Sequence, residues 1–587
     1  MANFTFGGQY TMENRYKRIK IFNDNGKSEA NIRIEYNNRF GTERILAVIA
    51  QTLNFVNGKI ERTRLDSSLI YNVHTDKQKD AIVFTMPNVK AGSVIEYSYV
   101  WSRPASLNFP GWDFQCNLPT AYSEMNAFLN PQLLFTQLTY VNQPFVRDTI
   151  AFNGYGHIWA MKNIPSAKNE PYMRSAADGL QRISLILQAV KDFYGHTQKL
   201  SDSWATVGKG IANDKIFSKP YDQNLSDAGD LISKAKKLKT DDEKIEFLFN
   251  QVKTQMRWNE EKNWISKDGI KNAWKKKSGN WGEINMVLYH LLKQCGVKAY
   301  PMLVSTRNNG MIYPNFPDIF QVDKLVTYVP VDSTKNYVLD ASDKYNLYNE
   351  IPYELLNSYG LALDKENESY KVIAMEEKRP IRQLLLINAE ITPDGNMKGT
   401  AEIDGFGYNK SSSLELYKTL DEKNYKEYLT DNDNNIQITS LKLENSEIDS
   451  LPLTQNIEFN LSLASNDGKY IYFNPNLFTS LHKNPFIAEN RTSNIDFGYK
   501  NHIIISERFK MPAGYKIDYL PKNINMVTAD KDINFKRLME QDDGYVSVYY
   551  TINYKKSVYL SSDYSNLYIY FKKMYEMLNE QIVLKKS

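Results

Sequence analysis

The chain has 587 residues, 42% of them hydrophobic and 24% charged, which is the composition of a folded protein and excludes a disordered one. Lys and Arg number 72 against 68 Asp and Glu, so the net charge of +4 is close to neutral for this length and gives no electrostatic reason to expect nucleic acid as a partner. A mean hydropathy of -0.52, with no run approaching the roughly 20 apolar residues that span a bilayer, excludes transmembrane helices.

In chain order, the first part reads as β-sheet. Residues 16–22 and 31–36 alternate polar and apolar side chains. The apolar run 45–55 ends at Asn57-Gly58, a strong hairpin signal. Further strand-like runs lie at 81–86, 93–101, 133–141 and 183–190, and together they predict a β-sandwich-type domain over 3–195. The 40 Tyr and the 13% aromatic content suit such sheets.

Helical patterns then begin. Segments 202–212 and 226–237 read as short helices. Thr240 and Glu243 fit a capping box, and Ile245, Leu248, Phe249, Val252 and Met256 follow at helical spacing. A further helix starts at Asn280, with Glu283 three residues on, and runs to a stop at Gly296. Strands at 297–306, 322–329 and 336–339 follow, with a turn around Asp332-Ser333. The order gives an α+β domain over 196–375. From Ile381 the β pattern returns, with Pro393-Asp394-Gly395 as a turn. One helix is expected over 413–429. A closing helix with Leu567, Phe571, Met574 and Leu578 on one face ends a C-terminal β domain of 376–587.

The start of the Asn280 helix is a place where chemistry could sit. A helix N-terminus carries partial positive charge, and a thiol there would be activated. The strands after it could supply a base and an orienting acid. Residues 278–343 resemble the transglutaminase-like superfamily, in which a Cys at a helix start, a His on one strand and an Asp on the next form a papain-like triad. The resemblance extends along the chain. Residues 86–97 and Trp112-Asp113-Phe114-Gln115 look like an N-terminal DUF3857 domain. Glu283-Ile284-Asn285, Ala299-Tyr300-Pro301 and Leu339-Asp340-Ala341 look like the Bacteroidetes branch, and Met511-Pro512-Ala513-Gly514-Tyr515 with Leu520-Pro521-Lys522 looks like its C-terminal β domain.

The triad does not carry over. Matching Gly279-Asn280-Trp281 to the family's Gly-x-Cys puts Trp281 at the nucleophile, and Lys324 falls at the His position. Only Asp340 agrees in kind. An indole has no ionisable nucleophilic atom, and a protonated Lys is a poor base. The resemblance therefore implies the fold and argues against the activity.

Other residues offer little replacement. Cys295 lies roughly 21 Å along the helix from Trp281 and reads as a core residue, as does Cys116. His290 reads as a surface or interdomain residue. The six His show no metal-ligand spacing, so neither a metal site nor a cofactor is expected. The acidic run 431–435 lacks the Gly and Glu of a calcium loop and reads as a solvated turn, and Lys275 to Lys277 read as a wet helix end. Trp258, Trp264, Trp274 and Trp281 either pack or line an aromatic groove for a peptide or sugar.

The expectation is a non-catalytic, transglutaminase-like protein that binds or scaffolds a protein, peptide or glycan. One alternative is a protease or amide-forming enzyme using Lys324 with a carboxylate or Ser278. Another is a structural subunit of an envelope complex. Met1-Ala2-Asn3-Phe4 is no signal peptide, which fits either a cytosolic chain or one whose leader has been replaced. Because the resembled proteins are commonly exported, the resemblance implies the periplasm or the outer surface.

Overall fold

The alternation of Asn31–Asn37 buries Ile32, Ile34 and Tyr36 on one face, as period-2 patterning requires. In the computed structural model this strand pairs with Lys79–Thr85, which pairs in turn with Tyr71–His74. The structure describes residues 1–587 except 8–9, 38–42, 76–78, 105–107, 193, 222, 224, 268, 333–334 and 464–467. The turn expected at Asp332-Ser333 thus falls partly outside the described residues.

Contacts divide the chain into two units, one of residues 1–168 with 180–202, the other of 169–179 with 203–587. The first unit is all β. Its eight-stranded sheet contains Tyr10–Lys20, Val94–Pro104 and Arg44–Val56 as neighbours. Asn57 and Gly58 both take positive φ and close the two-residue hairpin to Lys59–Arg64, as the sequence predicts. Two smaller sheets back the large one. Ile32, Ile34 and Phe84 of one pack with Ile95 and Tyr97. Ile183 and Leu185 of the other pack with Phe4, Met125 and Trp159.

The second unit holds two large cores. One surrounds Trp281–Gln294, which is buried on every side from Trp281 to Leu292, so it is an interior helix and not an amphipathic one. Gly296 at φ 81° ends it, with the Val297 N–H bonded to the Leu292 carbonyl and the Gly296 N–H to that of Lys293. Asp241–Gln255 packs against it and starts with the predicted Thr240/Glu243 capping box. A five-stranded antiparallel sheet completes this core, in the order Asn336–Leu339, Lys324–Pro330, Tyr300–Val304, Ser358–Asp364, Ser369–Met375. The last two strands are absent from the sequence reading.

The other core lies under an eight-stranded sheet in which Ile381–Ile391 runs parallel to Asn501–Lys510 and antiparallel to Asn396–Gly405. Three expectations need correction. The single helix over 413–429 is two, Tyr408–Thr419 and Glu422–Leu429, because Asp421 caps the second by accepting the Asn424 N–H. The chain does not close on a helix: after Tyr564–Leu578, residues Ile582–Lys586 form a strand whose Ile582 and Leu584 enter the core, paired with Tyr470–Phe473 and Tyr515–Tyr519. His290 is no surface residue. It is 3% exposed, with Nε2 2.9 Å from the Pro220 carbonyl oxygen, because its helix is covered all round.

Residues 169–179 belong to the second unit although both flanks belong to the first. The Glu170 carboxylate accepts the Thr492 and Ser493 N–H groups at 3.0 and 2.8 Å. The Asp496 N–H donates to the Tyr172 carbonyl at 2.7 Å, and Arg174 donates to the Leu356 carbonyl.

Candidate functional site

The start of Trp281–Gln294 is fixed by reciprocal capping. The Glu283 N–H donates to Asn280 Oδ1 at 2.9 Å, and the Asn280 N–H donates to Glu283 Oε2 at 3.0 Å. Glu283 Oε1 accepts the Ser266 hydroxyl at 3.1 Å and the Lys267 N–H at 3.0 Å. The Gly282 N–H donates to the Asn263 carbonyl at 3.0 Å. The Gly282 and Glu283 amides at this helix start are thus engaged by the protein itself. Gly282 permits this closeness, since a Cβ there would stand 2.1 Å from the Trp264 carbonyl oxygen.

Trp281 follows the cap and is 8% exposed. Its ring stacks on Trp258 at 5.7 Å and 21°. The Lys324 ammonium lies 4.5 Å from the centre of the Trp281 ring. It is also 2.5 Å from Asp340 Oδ2 and 2.5 Å from Glu354 Oε1. Lys324 is the first residue of its strand and Asp340 the residue after the next one ends. Thr327 pairs with Leu339, and that register brings the two side chains together.

Asn285, one helical turn past Trp281, holds the acid in place. Its Nδ2 donates to Asp340 Oδ1 at 2.8 Å and to the Leu325 carbonyl at 2.9 Å, and its Oδ1 accepts the Ala341 N–H at 2.9 Å. The Ser342 hydroxyl donates to Asp340 Oδ1 at 2.5 Å. A buried ammonium costs several kcal/mol unless paired and hydrogen-bonded, and these contacts supply the pairing.

The electrostatics follow. Burial disfavours the Lys324 charge, but Asp340 and Glu354 outweigh it and hold the ammonium above its usual range. Burial pushes Asp340 up, yet Lys324 and the hydrogen bonds from Asn285 and Ser342 hold it below the ordinary carboxylate value. Burial raises Glu354, opposed by Lys324 and reinforced by the Asp340 charge. Lys324 is therefore a fixed cation, with no free electron pair for accepting a proton near neutral pH.

The sequence-derived positions Trp281, Lys324 and Asp340 thus meet in space. Of the other tryptophans, Trp258 joins them by stacking. Trp264 meets the helix start with its backbone, and its ring lies 6.3 Å from Phe217. Trp274 is 5% exposed within the core, with Lys277 Nζ 2.8 Å from its ring centre. Ser278 sits in a two-residue strand paired with Arg257–Trp258. Cys295 is buried and Cys116 half-buried, both as free thiols. Among the described residues no cluster of His, Cys, Asp and Glu could hold a metal ion, and no helix is long and apolar enough to cross a membrane.

Sequence reasoning missed Glu354 and the role of Asn285. The available signal was electrostatic: a buried Lys calls for more than one compensating acceptor. Glu354 also lines a cavity of about 630 Å³.

Residues 10–168 match the family model DUF3857. Residues 469–584 match DUF3858. Both are described as domains of unknown function with a solved structure. The fold is similar to that of a crystal structure from Parabacteroides distasonis described as a "putative protease", with a TM-score of 0.61 and 12% identity over 100% of this chain and 98% of that one. At that identity the likeness is one of fold alone. A comparison with curated proteins finds no match.

Proposed function

We propose that this chain is a catalytically silent relative of the transglutaminase-like proteins, divided at 3–195, 196–375 and 376–587, which binds or scaffolds a protein, peptide or glycan in the bacterial envelope. The observation that carries the reading is the Lys324 ammonium, clamped between Asp340 and Glu354 beneath the Trp281 ring. In this reading Trp281, Lys324 and Asp340, on a helix start and two following strands, correspond to a nucleophile, a base and an orienting acid. The first is an unreactive ring and the second a permanent cation. The capped amides next to Trp281 support the same reading, because no donor pair is left for an oxyanion at Gly282 or Glu283.

The envelope location rests on the resemblance to exported Bacteroidetes proteins. The test is peptide cleavage and amine incorporation by the wild type, Lys324→Ala and Asp340→Ala. No turnover above the buffer rate is expected from any of them. Wild-type turnover that disappears in both variants while their circular dichroism spectra stay native would establish instead an enzyme built on Lys324.

A further inference from the structure

The cavity that Glu354 borders lies wholly within the second unit, between the five-stranded sheet region and the C-terminal β region. Its volume of about 630 Å³ suits a small ligand or a side chain with its backbone. Its walls combine two kinds of group. Tyr408 and Tyr499 stack at 4.7 Å, and Tyr353 meets them edge-on at 6.0 and 6.2 Å. Asp343, Glu354 and Glu415 add three carboxyls. No Lys, Arg or His is among the described residues that line it.

The charged groups of these walls are all carboxyls, and the remaining polar groups are hydroxyls and amides that both donate and accept. Tyr408, 5% exposed, has a hydroxyl without a hydrogen-bond partner, and Asn501 Oδ1 in the same wall also lacks one. Tyr172 and Tyr353, at 46% and 44% exposed, present further aromatic surface. A ligand that carries positive charge and favours aromatic faces answers the three carboxyls and the stacked tyrosines, and an ammonium on an alkyl stem is such a group. Burial pushes the Asp343, Glu354 and Glu415 carboxyls upward, and a bound cation would offset that.

We propose that this cavity binds a lysine-type ammonium presented by a peptide. Glu354 would then be shared between the ligand and Lys324, which joins the cavity to the Trp281 site through one carboxylate. The proposal goes beyond the silence of that site and does not depend on it, since turnover and binding are read separately.

The test is calorimetric titration of the full chain with Nα-acetyl-lysine methylamide, with its neutral Nε-acetylated form, with cadaverine and with diacetylchitobiose. The lysine amide should bind at least about tenfold more tightly than the neutral form, and more tightly than cadaverine, which lacks the peptide groups. Asp343→Asn with Glu415→Gln, both exposed, should weaken it about tenfold or more without unfolding the chain. Tyr499→Leu should weaken it as well. Equal binding of the neutral form, preference for the sugar or for free cadaverine, no binding up to about 10 mM, or an unchanged affinity in the double variant would overturn the proposal.

Discussion

The Lys324 ammonium stands 4.5 Å from the centre of the Trp281 ring, so the charge on one strand is covered by the first residue of the central helix. The two partners hold each other in place. The ring covers the ammonium, and the Lys324–Asp340 pair beneath it is almost wholly removed from water.

Lys324→Ala should destabilise the chain by about 3–5 kcal/mol, because it leaves Asp340, 1% exposed, as an uncompensated buried charge. Urea denaturation followed by tryptophan fluorescence reads this directly. A midpoint equal to that of the wild type would show that the pair is not buried as described.

Glu507 supplies a pH dependence. It is 2% exposed in the C-terminal β core, and burial raises its carboxyl well above the usual range, with neither carboxyl oxygen in a hydrogen bond and only the polarity of the Leu477 backbone opposing the rise. Its native form is neutral, whereas the unfolded chain ionises near the ordinary Glu value of about 4.3. The stability linked to this group is complete below that value and falls as pH rises towards the native pKa. Glu507→Gln should therefore raise the melting temperature more at pH 8 than at pH 4.5. Identical gains at both pH values would refute the linkage.

Gly282→Ala should cost about 1–3 kcal/mol, since the added methyl meets the Trp264 carbonyl oxygen at 2.1 Å and the loop must move. Gly210→Ala, where nothing lies within 4 Å, serves as the control and should be near neutral or stabilising. A thermal shift for Gly282→Ala no larger than that of the control would contradict the close approach.

Trp281→Cys combined with Lys324→His should place a thiol at a helix start beside an imidazole. Its pKa is expected below the ordinary value of about 8.5, read as thiolate absorbance against pH. An unshifted or raised value would mean that the two positions do not form the pair inferred from the sequence.

Local signals read well in this chain because their physics is local. Asn57-Gly58, Thr240 with Glu243, and Asn280 with Glu283 each satisfy nearby backbone groups, and each appears where the sequence places it. The meeting of Trp281, Lys324 and Asp340 was also legible, through a resemblance that fixes the order of helix and strands. Glu354 was not. It reaches Lys324 from a turn 30 residues on, and no periodicity marks a contact of that kind. His290 misled because an apolar stripe says which face must be buried, not that the opposite face stays wet. Ser358–Asp364 is buried at five of its seven positions and Ser369–Met375 is mostly part-exposed, so neither shows the period-2 alternation that would have announced it. The break at Asp421 hid because a cap residue looks like any surface acid until its neighbour's N–H is seen to need it.

The strap of residues 169–179 has a practical corollary for anyone cutting this protein apart. A fragment beginning at residue 203 would forfeit Glu170, Tyr172 and Arg174, and with them the bonds these make to residues 356 and 492–496. The two units are thus spliced in sequence, and the second can be cut out whole only together with residues 180–202 of the first. A fragment beginning at residue 169 should keep the strap and its bonds, whereas one beginning at residue 203 should lack part of its own packing and melt at a lower temperature.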